Sequence, residues 1–334
     1  MLRSRRQTGG AQVARAREAT PDHRDSKPLK QSLPECMAPT RAPRLPGIKL
    51  PAGSVDTHVH IFDSRYPLSP QRGYDPPDSR LEHLVAMHEA MSIERVVFTQ
   101  PSVYGTDNSA ILDGSDVLNE ATPGRARSVV AIRGDVSDQE LADMHARGAR
   151  GVRLNTDNAG GMPIDWSDLP ELCRRVVPMG WHVEFLFPGR EMVEIAPLIA
   201  SLPVPACIGH FAYQPAADGV QADGFQALLS LLRDGNTWLK ISGADRVSTA
   251  GAPRYDDVTP LAEAAIDANP ERIMWGTDWP HPNKYDDRLV PDEGNLVDAL
   301  ASWASDPDLL RLILVETPER FYGFQRPGGA LDGG

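Results

Sequence analysis

Eight short apolar runs, separated by longer amphipathic stretches, limit how this chain can fold more than any other feature. The runs cover residues 55–60, 95–99, 128–132, 151–155, 181–186, 206–210, 238–242 and 273–277. Amphipathic stretches long enough to cross back over a sheet include residues 80–91, 169–179, 225–233 and 258–268. This alternation predicts parallel strands joined by helices. Since eight such repeats suit a closed sheet, we expect an α/β fold, a distorted (β/α)8 TIM barrel.

An open, doubly wound sheet is the alternative fold. Its nucleotide-binding form carries GxGxxG or GxxxxGK[ST] after the first strand. Neither motif follows the first apolar run of this chain. The closed barrel is therefore preferred.

The first 49 residues differ in composition from the rest of the chain. They mix Arg, Pro, Ser and Gly without apolar periodicity, so ordering them would cost entropy with little burial in return. We expect residues 1–49 to be a disordered, basic extension; an Arg-rich targeting segment is the less favoured interpretation. One barrel domain is then expected at 50–326, with a helical segment at 306–324 near its end and a flexible tail at 327–334.

Charge and cysteine content exclude several classes of function. The net charge of −12 argues against a nucleic-acid partner, and no apolar run is long enough to span a membrane. The start lacks the apolar core of a secretory signal. The chain has three cysteines, no CxxC pair, and therefore no expected disulfide framework or thiolate zinc site. These features predict a cytoplasmic protein, and they leave a homo-oligomer open.

Ionisable side chains stand at or just after the ends of several predicted strands. Because the carboxyl ends of all barrel strands meet at one mouth, we expect these side chains to surround one pocket. In the first strand, the i, i+2 spacing of two histidines points both imidazoles to the same side. The candidates are His58, His60, Arg153, His210, Arg246 and Asp278.

Asp278 is the strongest candidate for a general base. An apolar strand delivers it, and Gly276, Trp279 and two prolines bracket it, so it is poorly placed for solvation. Each candidate also has a structural interpretation. Asp278 can cap a helix or pair with Arg246, Arg153 can bridge to a loop, and the histidines can be buried groups bonded to the backbone.

Five segments are typical of a known family: DTHVH at 56–60, GVRLN at 151–155, GH at 209–210, WLKISG at 238–243 and WGTDWPHP at 275–282. Together they resemble the amidohydrolase superfamily, most closely the lactonase branch typified by the hydrolases of 2-pyrone-4,6-dicarboxylate and 4-sulfomuconolactone. The similarity runs from residue 54 to residue 324, and GTDWPHP is its most specific part.

The resemblance implies a hydrolase that opens an anionic lactone, bearing a carboxylate or a sulfonate, in aromatic or sugar-acid catabolism. By position, Asp278 matches the water-activating acid, and His58, His60 and His210 match histidines that face the carbonyl. Arg153 and Arg246 match anion-binding arginines. Substrate contacts are also expected from Tyr74, which matches a tyrosine of the family, and from Ser102 in the loop after the second strand.

The chain also departs from the pyrone-dicarboxylate hydrolases. A second arginine expected shortly after residue 155 is absent, and Leu186 stands where that subgroup has a tyrosine. These departures argue against the pyrone dicarboxylate itself as the substrate.

A metal ion is not favoured as a cofactor. A two-metal centre needs a bridging Lys or Glu on the fourth strand, where this chain has Arg153, and a mouth-facing histidine on the fifth, where His182 stands near the beginning. His58, His60 and Asp278 form a set that can bind one Zn²⁺ or Mn²⁺. The resemblance favours metal-independent chemistry, because members of that branch use none.

Two other functions remain as alternatives. A mononuclear-metal decarboxylase of an aromatic acid shares the pattern of histidines and aspartate. A non-catalytic barrel that binds a small molecule is the second alternative, although several ionisable groups at one mouth argue against it.

Overall fold

The computed structural model describes residues 32–162 and 166–324, and a ring of eight parallel strands is its central feature. The strands are β1 (Val55–Val59), β2 (Arg95–Thr99), β3 (Ala126–Val130), β4 (Ala149–Asn155), β5 (His182–Leu186), β6 (Ala206–Ile208), β7 (Thr237–Lys240) and β8 (Ile273–Met274). Each strand pairs in parallel with the next along the chain. The predicted (β/α)8 barrel is confirmed, and every predicted strand overlaps an observed one.

The barrel closes between β1 and the segment that follows the very short β8. Thr57 N donates to Trp275 O over 3.1 Å, His60 N donates to Trp279 O over 2.8 Å, and Asp278 N donates to His58 O over 2.9 Å. These hydrogen bonds bring the GTDWPHP segment alongside the histidines of β1.

Helices connect the strands and cover the outside of the barrel. They are α1 (Leu81–Met91), α2 (Ser109–Ala121), α3 (Asp138–Ala146), α4 (Leu169–Val176), α5 (Met192–Ala200), α6 (Asp223–Asp234), α7 (Ala244–Val247), α8 (Thr259–Ala268), α9 (Glu293–Trp303), α10 (Pro307–Arg311) and α11 (Thr317–Tyr322). The four predicted amphipathic stretches overlap α1, α4, α6 and α8. The predicted terminal helical segment corresponds to α10, a π-helical turn at Leu312–Glu316, and α11. No helix among the described residues is both long and apolar enough to cross a membrane.

Apolar side chains fill the interior of the barrel at the amino ends of the strands. This cluster consists of Val55, Val97, Val129, Cys207, Met274, Tyr322 and Phe324. A larger apolar core lies between the strands and the surrounding helices.

The N-terminal segment that precedes β1 contacts the barrel over part of its length. Cys36 N donates to Asp75 O over 2.9 Å and Met37 N donates to Lys284 O over 2.7 Å, while Arg44 forms an ion pair with Asp298. For residues 34–44 the structure therefore differs from the predicted disorder, because backbone atoms of two loops supply partners that the sequence pattern does not show. Residues 1–31 and 325–334 lie outside the described residues, so the disorder and the flexible tail predicted there stay predictions.

Candidate active site

One carboxylate and three imidazoles meet at the carboxyl end of the barrel. Asp278 Oδ1 lies 3.6 Å from His58 Nε2, 3.5 Å from His60 Nε2 and 3.7 Å from His210 Nε2. All four side chains are buried. The structure thus brings together the four residues that the sequence analysis proposed as catalytic.

Close packing of β1 against the segment after β8 places Asp278 beside the histidines. A Cβ atom at Gly276 would lie 2.6 Å from His58 N, so this approach requires glycine. Asp56 of β1 binds the same segment, accepting from Thr277 N over 2.9 Å and from Thr277 Oγ1 over 2.6 Å. Asp278 itself has a φ of 63°, in the left-handed region, where strained residues often mark functional sites.

Hydrogen bonds at the far ring nitrogens orient two of the imidazoles. His60 Nδ1 lies 2.7 Å from Thr99 O. Since a carbonyl oxygen only accepts, Nδ1 carries the hydrogen, and neutral His60 presents an unprotonated Nε2 to Asp278. His210 Nδ1 lies 3.0 Å from Ser242 Oγ, which can donate its hydroxyl hydrogen to the ring.

Burial and the neighbouring charges set the protonation states of the cluster. Burial lowers the pKa of His210 to about 4, and the pKa values of His58 and His60 also fall because of burial. Burial opposes ionisation of Asp278, but the charge of Arg246 and the contacts with the histidines outweigh it and hold its pKa well below the usual value. At neutral pH the carboxyl group is therefore ionised and the imidazoles are neutral.

The two predicted anion-binding arginines flank the cluster in different ways. Arg246 Nε and Nη2 each lie 2.5 Å from Asp278 Oδ2, and Nη2 also donates to Pro282 O over 3.1 Å. Arg153 Nη1 donates to Gln100 O over 2.6 Å, whereas its Nε has no hydrogen-bond partner among the described residues. The structural interpretation of Asp278 as the ion-pair partner of Arg246 therefore holds, but it involves only one of the two carboxylate oxygens.

A small pocket lies beside Asp278 at this end of the barrel. All four predicted substrate-binding residues line it, together with three of the predicted catalytic residues: Tyr74, Ser102, Arg153, Arg246, His60, His210 and Asp278. His58 lies behind this wall. Leu186, Asn155, Asn158, Tyr213 and Asn283 also line the pocket.

Sequence reasoning missed two charged residues immediately behind the histidines. Glu184 of β5 and Lys240 at the end of β7 form a buried ion pair with a separation of 2.5 Å. Glu184 Oε1 lies 3.4 Å from His58 Nδ1. A charged residue inside an otherwise apolar strand is the signal that could have identified each of them.

The donor set fits a single divalent ion better than a pair of ions. His58, His60 and Asp278 each offer a ligand atom, and these atoms lie within 4.8 Å of one another. Two of them, His58 Nε2 and Asp278 Oδ1, have no hydrogen-bond partner within residues 32–162 and 166–324. The His182 ring, in contrast, packs 4.5 Å from the Phe321 ring, away from this pocket, as the sequence predicted.

Two known hydrolases are similar to this chain over most of its length. Over 294 residues it is 35% identical to the 4-sulfomuconolactone hydrolase of Hydrogenophaga intermedia, covering 87% of this chain and 95% of that protein. It is 33% identical to the 2-pyrone-4,6-dicarboxylate hydrolase of Comamonas testosteroni over 290 residues, 84% of this chain and 93% of that one.

Solved structures show a similar fold. A putative 2-pyrone-4,6-dicarboxylic acid hydrolase from Pseudomonas putida superposes with a TM-score of 0.71 at 30% identity, covering 83% of this chain and all of that one. Residues 55–324 match the amidohydrolase family, and this range contains every candidate site residue. The chain belongs to the amidohydrolase family.

Proposed function

We propose that this chain is a hydrolase that opens a lactone carrying a carboxylate or a sulfonate, with water activated by Asp278. The observation that carries the proposal is the convergence of three imidazoles on one oxygen of Asp278, in a pocket whose wall also holds two guanidinium groups. Relatives named as hydrolases of 4-sulfomuconolactone and of 2-pyrone-4,6-dicarboxylate support it. Such a hydrolase would act in aromatic or sugar-acid catabolism.

Asp278 is suited to act as the general base. Arg246 binds its Oδ2, while its Oδ1 has no hydrogen-bond partner among the described residues, and Asp278 lines the pocket. A water bound at Oδ1 loses a proton to the carboxylate as its oxygen attacks the lactone carbonyl carbon. When the ring C–O bond breaks, the departing oxygen takes that proton and the product is a hydroxy acid. General base catalysis of this kind contributes about 10²- to 10⁴-fold in rate.

The histidines take different roles because their hydrogens lie on different nitrogens. His60 accepts at Nε2, so we assign it to orienting the attacking water together with Asp278. His210, with Ser242 donating to its Nδ1, presents an Nε2–H group and stabilises the oxyanion that develops on the carbonyl oxygen. Removing one such preorganised donor costs roughly 3 to 4 kcal/mol.

The positive charge of the pocket selects an anionic substrate. Two guanidinium groups, Arg153 and Arg246, face one carboxylate, Asp278, so the wall carries an excess positive charge. Arg153 Nε, which no described residue binds, provides a donor for a carboxylate or sulfonate oxygen. Tyr74 and Ser102 line the same wall and are assigned as further substrate contacts. Leu186 leaves one side of the pocket apolar.

We propose that the reaction is independent of metal. His58, His60 and Asp278 are the residues that would hold a divalent ion, which would polarise the lactone carbonyl as a Lewis acid. Such an ion would add positive charge to a wall that already carries an excess of it, whereas an anionic lactone compensates that charge.

Activity on chelator-treated enzyme, with bound metal quantified, tests the reaction and the cofactor together. Lactones bearing a carboxylate, a sulfonate or a neutral substituent would be supplied, and acid release would be followed by titration. We expect turnover of the anionic lactones with far less than one metal ion per chain. Release of carbon dioxide from an aromatic acid by the metal-loaded enzyme would instead identify a decarboxylase, and binding without turnover would identify a binding barrel.

A further inference from the structure

A buried ion pair lies directly behind the catalytic cluster, and no step of the proposed reaction uses it. Lys240 is 0% exposed and Glu184 is 1% exposed. Burial opposes ionisation of Glu184, but the charge of Lys240 outweighs it and lowers the pKa of that carboxyl group to about 2. Burying an ion pair costs desolvation energy that a well-packed apolar pair would not. Its position in the barrel therefore needs a reason other than stability.

His58 Nδ1 lies between the two charges of this pair. It is 3.5 Å from Lys240 Nζ, in hydrogen-bonding geometry, and 3.4 Å from Glu184 Oε1, which has no hydrogen-bond partner in the described part of the chain. An ammonium group has three donors and no acceptor. The ring nitrogen that faces it therefore presents a lone pair, and the single hydrogen of neutral His58 lies on Nε2.

The opposite nitrogen of His58 points at the catalytic carboxylate. Nε2 lies 3.6 Å from Asp278 Oδ1. His60, which directly follows β1, carries its hydrogen on Nδ1 and faces the same oxygen with an unprotonated Nε2. His58 and His60 thus present a donor and an acceptor, respectively, to the same oxygen of Asp278.

We propose that Lys240, with Glu184 as its counter-ion, is a positioning residue that holds His58 as the Nε2–H tautomer facing Asp278 Oδ1. Glu184 keeps the ammonium paired in the barrel interior, and Lys240 acts on the reaction only through His58. The inference rests on the proposed function in one respect, that Asp278 is the base.

The tautomer of His58 can be observed directly and without substrate. Long-range ¹H–¹⁵N correlation spectra of protein labelled at histidine distinguish Nδ1–H from Nε2–H, and His58→Gln identifies the resonance. We expect Nε2–H for His58 and Nδ1–H for His60. A His58 signal with the hydrogen on Nδ1 would overturn the proposal, whether or not the enzyme hydrolyses lactones. The expected tautomers without lactone hydrolysis would contradict the proposed function alone.

A double variant tests whether the pair controls that tautomer. Lys240→Met combined with Glu184→Gln removes both charges at similar volume and leaves no unpaired ion. We expect the Nε2–H form of His58 to lose its preference and kcat to fall about 10- to 100-fold. KM for an anionic lactone should change much less, because Arg153 and Arg246 are untouched.

Tyr322→Phe is the matched control for packing inside the barrel. The Tyr322 ring lies 5.8 Å from Lys240 Nζ, on the apolar side of the pair, and the variant keeps that ring. We expect it to leave both the tautomer and kcat unchanged. A folded double variant with wild-type kcat and an unchanged His58 spectrum would refute the positioning role. If the double variant does not fold, the wild-type spectrum still decides the tautomer.

Discussion

Two pairs of arginines with little exposed surface lie at opposite ends of the barrel and serve different purposes. At the amino end, Arg95 stands at the start of β2 and Arg127 near the start of β3. Arg95 donates to Gly53 O and to Glu319. Arg127 donates to the backbone carbonyls of Tyr322 and Gly323, at the end of α11. Both guanidinium groups also lie over the Phe324 ring, at 5.2 and 4.9 Å from its centroid. This pair fastens the end of the described chain to the barrel.

The two arginines at the carboxyl end, Arg153 and Arg246, have hydrogen-bond donors or positive charge available for a ligand. Arg153 Nε has no hydrogen-bond partner in the part of the chain that the structure describes, and Arg246 pairs with one oxygen of Asp278, which lines the pocket. The residue type is the same at both ends, and Arg95 Nη1 at the amino end also has no hydrogen-bond partner among the described residues, so neither property identifies a site by itself. Unpartnered polar atoms beside a pocket do, because leaving them unpaired costs free energy unless a ligand satisfies them.

The largest effect is expected at the carboxyl end, from Asp278→Asn. The amide keeps the shape of the side chain but cannot take a proton, so we expect kcat to fall about 10³-fold with substrate binding largely retained. Steady-state kinetics and direct binding measurements separate the two quantities. Near-normal kcat in a folded variant would contradict the role of the base.

Asp63→Asn is the matched control for the loss of Asp278. Asp63 is also buried and also pairs with an arginine, Arg65, but it does not line the pocket. We expect its kcat to stay close to that of the wild type. An equal loss in both variants would mean that breaking any such pair disturbs the fold.

At the amino end the expected effect is on stability. Phe324→Ala removes an apolar side chain that packs with Tyr322 and two guanidinium groups, so we expect unfolding to become easier by about 3 kcal/mol. Denaturant titration measures this change, and kcat of the folded protein should not change. A large loss of kcat at wild-type stability would show that the two ends are not independent.

A smaller effect is expected from Arg153→Ala. One charge-assisted hydrogen bond contributes about 1.5 to 3 kcal/mol, so KM for an anionic lactone should rise about 10- to 150-fold with little change in kcat. A lactone with a neutral substituent provides the control, since its KM should barely respond. An unchanged KM for the anionic lactone would remove Arg153 from the anion site.

The fold was predictable because the alternation of apolar runs and amphipathic stretches indicates the order of strands and helices. The run at 95–99 is β2 with the same bounds. The run at 273–277 was predicted too long, because only Ile273–Met274 pairs with β7, while Trp275 O accepts from Thr57 across the closure. The sequence shows that residues 273–277 are largely apolar. It does not show where the pairing with the neighbouring strand ends.

The site was predictable where residues stand at strand ends, and less so inside the barrel. His58 and His60 follow from their spacing in β1. The ion pair of Glu184 and Lys240 could not be predicted in this way. Each is a single Glu or Lys within a mostly apolar run, and the two residues are 56 positions apart. The contacts of residues 34–37 were also missed, since backbone atoms make them and no side-chain pattern marks them.

Lowering the pH tests one buried histidine at each end of the barrel, His210 and His182. The expected change in stability and activity is small near neutral pH. Burial lowers the pKa of His210 to about 4 and also lowers that of His182. Between the ordinary value of about 6.5 and pH 4, the unfolded chain binds protons that folded His210 does not, so stability falls as the pH falls through this window. The activity of the folded enzyme should stay level down to pH 5 and fall near pH 4, because a charged His210 lies 3.7 Å from Asp278 Oδ1 and makes that carboxylate a weaker base. His210→Gln should remove that acidic limb, whereas His182→Gln should leave it in place; an acidic limb at pH 6.5 would mean that His210 is not shielded by burial.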